Sequence, residues 1–324
     1  MRNPVIRLLR RSLILLVILF VVDRLLGAGL ERMFYKQHHG DDAVTLYTLD
    51  STKEQLLVFG SSRASHHYHT RQLATELGMS VYNCGRDEMG ISYTAAVLPI
   101  VYKRYIPSYI IVEVLPTELS NRGRETSERH IGTVLKPFAN RFPELWQTVA
   151  FAGKDEVYKS AISKAYPYNS LIGAFIQNTY TNLGHKTDLG YEPLHKSIDT
   201  KSYTKSYWEP FKLSVGVDAD LVQRFTAMLD TAASHGTRVF VVISPFYFQQ
   251  DISQVESYLA LPALCAEHGA TFLDWSFDPR FVGHPELFND DLHLNDSGAK
   301  AYTRIVADTL MKSGIGTPRL PPGI

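Results

Sequence analysis

Two short segments at opposite ends of this chain carry residue types that together make an acyl-transfer nucleophile. One reads Val58-Phe59-Gly60-Ser61-Ser62-Arg63 and the other Asn289-Asp290-Asp291-Leu292-His293-Leu294-Asn295. A serine on a tight turn after an apolar strand, and an aspartate three residues before a histidine, are the parts of a Ser-His-Asp site. In such a site the imidazole takes the serine proton while the carboxylate fixes its tautomer and stabilises the imidazolium. Each segment alone has a plainer reading, a serine that caps a helix or a solvated loop. Their combination needs a fold that brings the first and last elements together, as an α/β sandwich does.

At the serine end, Leu56-Leu57-Val58-Phe59 suits a strand buried on both faces of a parallel sheet. Gly60 permits a sharp turn that leaves Ser61 or Ser62 at the carboxyl edge of the sheet, at a helix N-terminus where backbone N–H groups stabilise an oxyanion. At the other end, Asn295 or Asp296 caps an amphipathic stretch from Lys300 to Leu310.

These blocks resemble the SGNH (GDSL-like) hydrolase family, its membrane-anchored acyl-handling members in particular. The resemblance rests on Phe59-Gly60-Ser61-Ser62, on Tyr82-Asn83-Cys84-Gly85, and on Asp290-x-x-His293-Leu294-Asn295 with Gly298-Ala299. It implies Ser62 as nucleophile, His293 as general base and Asp290 as its orienting acid, with Ser61 where commoner members carry aspartate. Oxyanion donors are expected from Ser62 and from Gly85 or Gly90. The family's asparagine after the third strand has no counterpart in Ile110-Ile111-Val112-Glu113-Val114-Leu115-Pro116-Thr117-Glu118, so Asn121 or Arg63 are candidate substitutes. Arg63 and His66 are the candidate substrate-binding residues. The implied activity is an O-acyltransferase or acetyl esterase acting on cell-envelope or secreted glycans, with transfer favoured over hydrolysis. The competing class is a non-catalytic glycan-binding or scaffold protein with the same fold.

The elements that must position these residues follow from pattern. Strands are expected at 55–59, 80–84, 108–115, 238–244 and 270–274, and helices near 67–78, 91–104, 218–235, 255–268 and 296–313. Strand–helix alternation implies a three-layer α/β/α sandwich around a doubly wound parallel sheet, flavodoxin-like in order. The expected domain covers 54–313, with an insertion at about 121–217 and a disordered tail at 314–324. The insertion holds Trp146, Trp208 and many tyrosines, among them Tyr158, Tyr166, Tyr168, Tyr180, Tyr191, Tyr203 and Tyr207. It reads as a cap or substrate-recognition lobe whose aromatic residues fill a core or offer platforms to sugar rings.

Composition sets the remaining bounds. The chain has 324 residues, 45% hydrophobic, enough for a large core, and its 33 basic residues balance 33 acidic ones. No basic footprint for nucleic acid is present. His66, His67 and His69 share one segment without acidic or cysteine partners at metal spacing, and glycine-rich phosphate-binding patterns are absent, so neither metal nor other cofactor is expected. Cys84 and Cys265 read as separate buried thiols. Arg2, Arg7, Arg10 and Arg11 (basic tail, 1–11) precede the apolar run Ser12 to Val22, which Asp23 and Arg24 interrupt before Leu25 to Leu30. The run is short against the roughly 20 residues of a span and also suits a signal peptide. The reading favoured is an uncleaved single-pass anchor at 12–30 in the inner (cytoplasmic) membrane, followed by a linker at 31–53. The arginines stay inside, which puts the main domain in the periplasm or outside, where envelope assembly partners are possible.

Overall fold

Five apolar runs become the strands β1 (Leu56–Phe59), β2 (Val81–Asn83), β3 (Tyr109–Glu113), β4 (Arg238–Ile243) and β5 (Thr271–Asp274) of one parallel sheet in the order β2-β1-β3-β4-β5. The computed structural model describes residues 4–121, 124–180, 187–199, 216–249 and 251–315. Trp208, Tyr203, Tyr207 and the tail from 316 onward, all singled out above, lie outside the described residues. The chain forms two compact units, one of Met1–Ala43 with Glu128–His185 and the other of Val44–Ser127 with Lys186–Ile324.

The second unit is the α/β sandwich. Its helices include α2 (Asp41–Asp50, shared at its start with the first unit), α3 (Ser62–His67), α4 (Thr70–Leu77), α5 (Ile91–Tyr102), α10 (Ala219–Ser234), α11 (Glu256–Glu267) and α12 (Asp296–Lys312). Alternate strand residues face opposite ways. Leu56, Val58, Ile111, Phe240 and Val242 pack with Leu73 and Leu77 of α4 and with Tyr302, Val306 and Leu310 of α12. Leu57, Phe59, Ile110, Val112 and Val241 point to the other side and are equally buried, where α5 and α10 lie together. Burial on both faces is why these strands read as unbroken apolar runs. Residues 41–50, expected as linker, are helical because Val44, Thr45, Thr48 and Leu49 bury one face. The strand order reverses between β1 and β3, the crevice at which open α/β sheets hold ligands.

The first unit is built on α1 (Pro4–Phe34), among the described residues the one helix long and apolar enough to cross a membrane. Within the insertion it adds α6 (Arg124–Leu135, from Glu128 on), α7 (Trp146–Val149), α8 (Lys154–Ile162) and α9 (Ile172–Tyr180). The Phe34 ring meets Phe138 at 4.8 Å and Tyr168 at 5.6 Å. Gly27 lets the 164–165 backbone close on α1, since a Cβ there would stand 2.5 Å from the Lys164 carbonyl carbon. Residues 128–180 of the expected cap therefore pack in one unit with the C-terminal end of α1, and Tyr168 is a core residue. Residues 187–199 belong to the other unit, where Tyr191 is buried.

Candidate active site

The carboxyl end of β1 turns sharply at Gly60, whose φ of 143° is open to glycine alone in practice. A Cβ there would also stand 2.7 Å from the Glu113 carbonyl oxygen. The turn delivers Ser61 to the N-cap position of α3 and Ser62 to its first residue. Ser61 makes no side-chain capping bond. Across the crevice, the loop before α12 presents His293. Ser62 Oγ lies 2.7 Å from His293 Nε2, and His293 Nδ1 lies 2.9 and 3.0 Å from the two oxygens of Asp290. The three residues foreseen as nucleophile, base and acid thus form one hydrogen-bonded chain.

Its proton positions follow from the partners. An ionised carboxylate only accepts, so Nδ1 carries the imidazole proton and Nε2 is left to accept from the serine hydroxyl. Asp290 Oδ1 also accepts the backbone N–H groups of Leu292 at 3.0 Å and His293 at 2.9 Å, and Asn289 Nδ2 donates to Oδ2 at 3.0 Å. Burial raises the Asp290 pKa, but the hydrogen bond and charge of His293 outweigh it and hold the carboxyl down at about 2. Asp290 is therefore a carboxylate at neutral pH.

Beneath this chain lies a buried polar network that the sequence did not announce. Arg63, expected to meet substrate, is buried: its Nε donates to Glu113 Oε1 at 3.1 Å, its Nη2 to Ser244 Oγ at 2.7 Å and to the Ser244 carbonyl, and its guanidinium stacks 3.9 Å from the Phe246 ring. That assignment is corrected, because a guanidinium closed off by a carboxylate, a hydroxyl and a ring has no face left for a ligand. Glu113 also accepts from Tyr68 Oη at 2.6 Å and from Ser244 N at 3.0 Å. Leu294 N–H donates to His67 Nε2 at 3.0 Å, which makes Nδ1 the protonated nitrogen, 2.7 Å from Ser244 Oγ. Ser244 Oγ donates its own hydrogen bond to Glu113 Oε1 at 2.5 Å. It accepts two bonds and donates one, its full capacity. Burial, then the charge of Arg63, pushes the His67 pKa well down, so this ring is neutral.

The network grips the histidine loop from both sides of the reacting residue. Arg63 Nη1 reaches the carbonyl of Leu292 at 3.4 Å and His67 holds the N–H of Leu294. Both side chains belong to α3, the helix that begins with Ser62, so one short rigid element sets the position of serine and histidine together.

His66 lines the opposite wall. Its ring meets that of His293 edge to face at 5.6 Å, its Nδ1 lies 2.8 Å from the Glu192 carbonyl, and its Nε2 lies 3.6 Å from Asp87 Oδ1. Burial lowers its pKa, but the Asp87 carboxylate wins and the net direction is up. Asp87 is in turn held ionised: burial raises its pKa, but His66 and the Ser65 hydroxyl outweigh it and the net direction is down.

The glycines expected as oxyanion donors are less free than their spacing suggested. Gly85 packs against α3, where a Cβ would stand 2.6 Å from Ser65 N, and its own N–H donates to Asn83 Oδ1 at 2.9 Å. Asn83 Nδ2 in turn donates to the Ala64 carbonyl at 2.6 Å. Gly90 opens α5 beside Glu118, whose carboxylate accepts from Ile91 N at 2.7 Å. Asn121 is exposed. Cys84 and Cys265 are free and buried.

No family model and no curated protein matches the sequence. Among solved structures, a protein from Bacillus subtilis aligns over 82% of this chain and 58% of its own at 13% identity and a TM-score of 0.39. A family two carbohydrate esterase from Clostridium thermocellum in complex with cellohexaose aligns over 80% of this chain and 63% of its own, at 10% identity and a TM-score of 0.33. An acetyl xylan esterase from the rumen bacterium Butyrivibrio proteoclasticus aligns over the same shares at 9% identity and a TM-score of 0.32. The chain spans less than two thirds of the length of each of these three structures. Likeness at this level carries no argument about family or substrate.

Proposed function

We propose that this chain is a membrane-anchored serine enzyme that handles acyl esters of envelope or secreted glycans, as an O-acyltransferase or an acetyl esterase, with Ser62 as nucleophile, His293 as general base and Asp290 as its orienting acid. The observation that carries this reading is the continuous hydrogen-bonded chain from Ser62 Oγ through His293 to Asp290. In the first step His293 Nε2 takes the hydroxyl proton as Ser62 Oγ attacks the ester carbonyl. The same proton then passes to the departing alkoxide, which leaves as an alcohol with the acyl group on Ser62. Water or a sugar hydroxyl next gives its proton to Nε2 and its oxygen to the acyl carbon, and the proton returns to Ser62. The N–H of Ser62 lies in the first turn of α3, where helix geometry supplies no intrahelical acceptor, and is the first oxyanion donor. Gly85 contributes only by sharing its bond to Asn83. The wall around His66 is polar, since Asp87 stands 3.6 Å from the His66 ring, and a polar wall suits a hydroxyl-rich substrate. Arginines before the apolar run favour a domain on the outer side of the inner membrane.

One observation favours the non-catalytic glycan-binding alternative, namely that Gly85 N–H is engaged and Gly90 stands beside a carboxylate. Covalent labelling of the full chain with a fluorophosphonate probe separates the two. The enzyme reading requires labelling of the wild type that is lost in Ser62→Ala. Absence of labelling together with absence of ester cleavage selects the binding protein.

A further inference from the structure

α1 is long enough to cross a bilayer, but its uninterrupted apolar run ends at Asp23 and Arg24. Placing Arg7, Arg10 and Arg11 at the inner surface leaves Ser12 to Val22 to cover about 16 Å of a hydrocarbon core about 30 Å thick. Asp23 and Arg24 would then lie well inside the outer leaflet, where unpaired charges are costly. Neither is unpaired. Asp23 accepts Ser163 Oγ at 2.5 Å, Lys164 N at 2.8 Å and Ala165 N at 3.3 Å, while Arg24 donates to the Ile162 carbonyl and lies 3.2 Å from Asp23. The charges are consumed by the end of α8 and the turn after it. Large apolar side chains stand outward at this junction: Ile162 is 76% exposed, Tyr158 one turn earlier on the same face 68%, and Leu25 on α1 itself 70%, while the exposed Lys159 beside them is paired with Asp155 and Glu156.

We infer that the last turn of α8, carrying Tyr158 and Ile162, enters the outer leaflet beside α1, so that the insertion covers the two charges that interrupt the span. The occupant of this surface is lipid. Continuity with α1 argues for it, since the same hydrogen bonds that neutralise Asp23 and Arg24 fix Ile162 at their depth. Tyrosine at the membrane boundary and apolar side chains below it are the residues that this layer selects. Farther along α1, Glu31 pairs with Lys164 at 2.9 Å, and Arg32, Lys36 and Arg141 line a cavity of about 650 Å³ with Tyr35, a basic rim at the level of lipid phosphates. The insertion thereby sets the depth of the anchor, a role distinct from covering the serine.

The inference rests on α1 being a span, and one experiment tests both. Ile162→Cys, Tyr158→Cys and Phe20→Cys are introduced singly into the full chain, labelled with an environment-sensitive fluorophore and reconstituted in vesicles holding lipids with nitroxides at shallow or deep acyl positions. Cys84 and Cys265 are buried and do not compete for label. Expected are loss of intensity at Phe20→Cys and Ile162→Cys with the deep nitroxide and at Tyr158→Cys with the shallow one. Quenching at Phe20→Cys with none at either α8 site overturns the inference and leaves the anchor standing. No quenching at Phe20→Cys removes the anchor and the inference together.

Discussion

Replacing Glu113 by glutamine isolates the charge at the centre of the network beneath the triad. The Arg63 and Glu113 side chains are 2% and 1% exposed, so water relieves neither. The amide keeps the shape and can still accept from Arg63 Nε and Ser244 N, while the Tyr68 hydroxyl rotates to accept from the new NH₂. What disappears is the counter-charge. Removing one partner of a buried ion pair costs about 3–5 kcal/mol. At roughly 2–4 °C per kcal/mol for a domain of this size, the midpoint of thermal unfolding falls by about 6–20 °C. Arg63→Met should lose a comparable amount by stranding Glu113. The double variant leaves no lone charge, so its loss should fall short of the sum by about 1–3 kcal/mol. Thermal unfolding by circular dichroism of the full chain measures all three. A shift below about 2 °C for Glu113→Gln, or strict additivity in the double variant, refutes a functioning buried pair. The same variants, assayed on a chromogenic acetyl ester below the melting range, should lose kcat more than they raise KM, because Arg63 holds Leu292 next to His293 and touches no substrate.

Three further outcomes follow from the site. Ser62→Ala should lower ester cleavage by on the order of 10⁴–10⁶, while Ser61→Ala keeps a measurable fraction; equal losses would reverse the assignment of the nucleophile. Asp290→Asn should lower kcat by on the order of 10⁴ through the wrong tautomer. It should also flatten the acid limb of stability: the folded Asp290 pKa is depressed to about 2 from 3.8, so its contribution is present above the unfolded value and lost as pH falls through the folded one. Acid unfolding curves of wild type and variant that superimpose between those values would contradict this. For His67, a folded pKa below the unfolded value of 6.5 means that the unfolded chain binds the extra proton, so wild-type stability falls as pH drops below 6.5. His67→Gln removes that proton and should reduce the slope, with a lower kcat from a slackened Leu294; an unchanged slope would place the ring in water.

Local pattern determined much of this protein. Apolar runs such as Leu56 to Phe59 specify strands buried on both faces, and their alternation with amphipathic helices specifies a parallel sandwich, because periodicity is set by which side of each element meets the core. Asp290 and His293 were legible as a pair since three residues of loop suffice to join them, while the turn that Gly60 imposes marked Ser61 or Ser62 and only the family resemblance chose Ser62. The partners of Arg63 were not. Glu113 is 50 residues away and Ser244 is 181, and nothing in an unpaired arginine after a serine says whether it faces substrate or a buried carboxylate. The same holds for the helix at 41–50 and the insertion that meets Asp23 and Arg24. Each depends on which distant groups packing brings within about 3 Å, the range at which a buried polar atom either finds its partner or forfeits the fold.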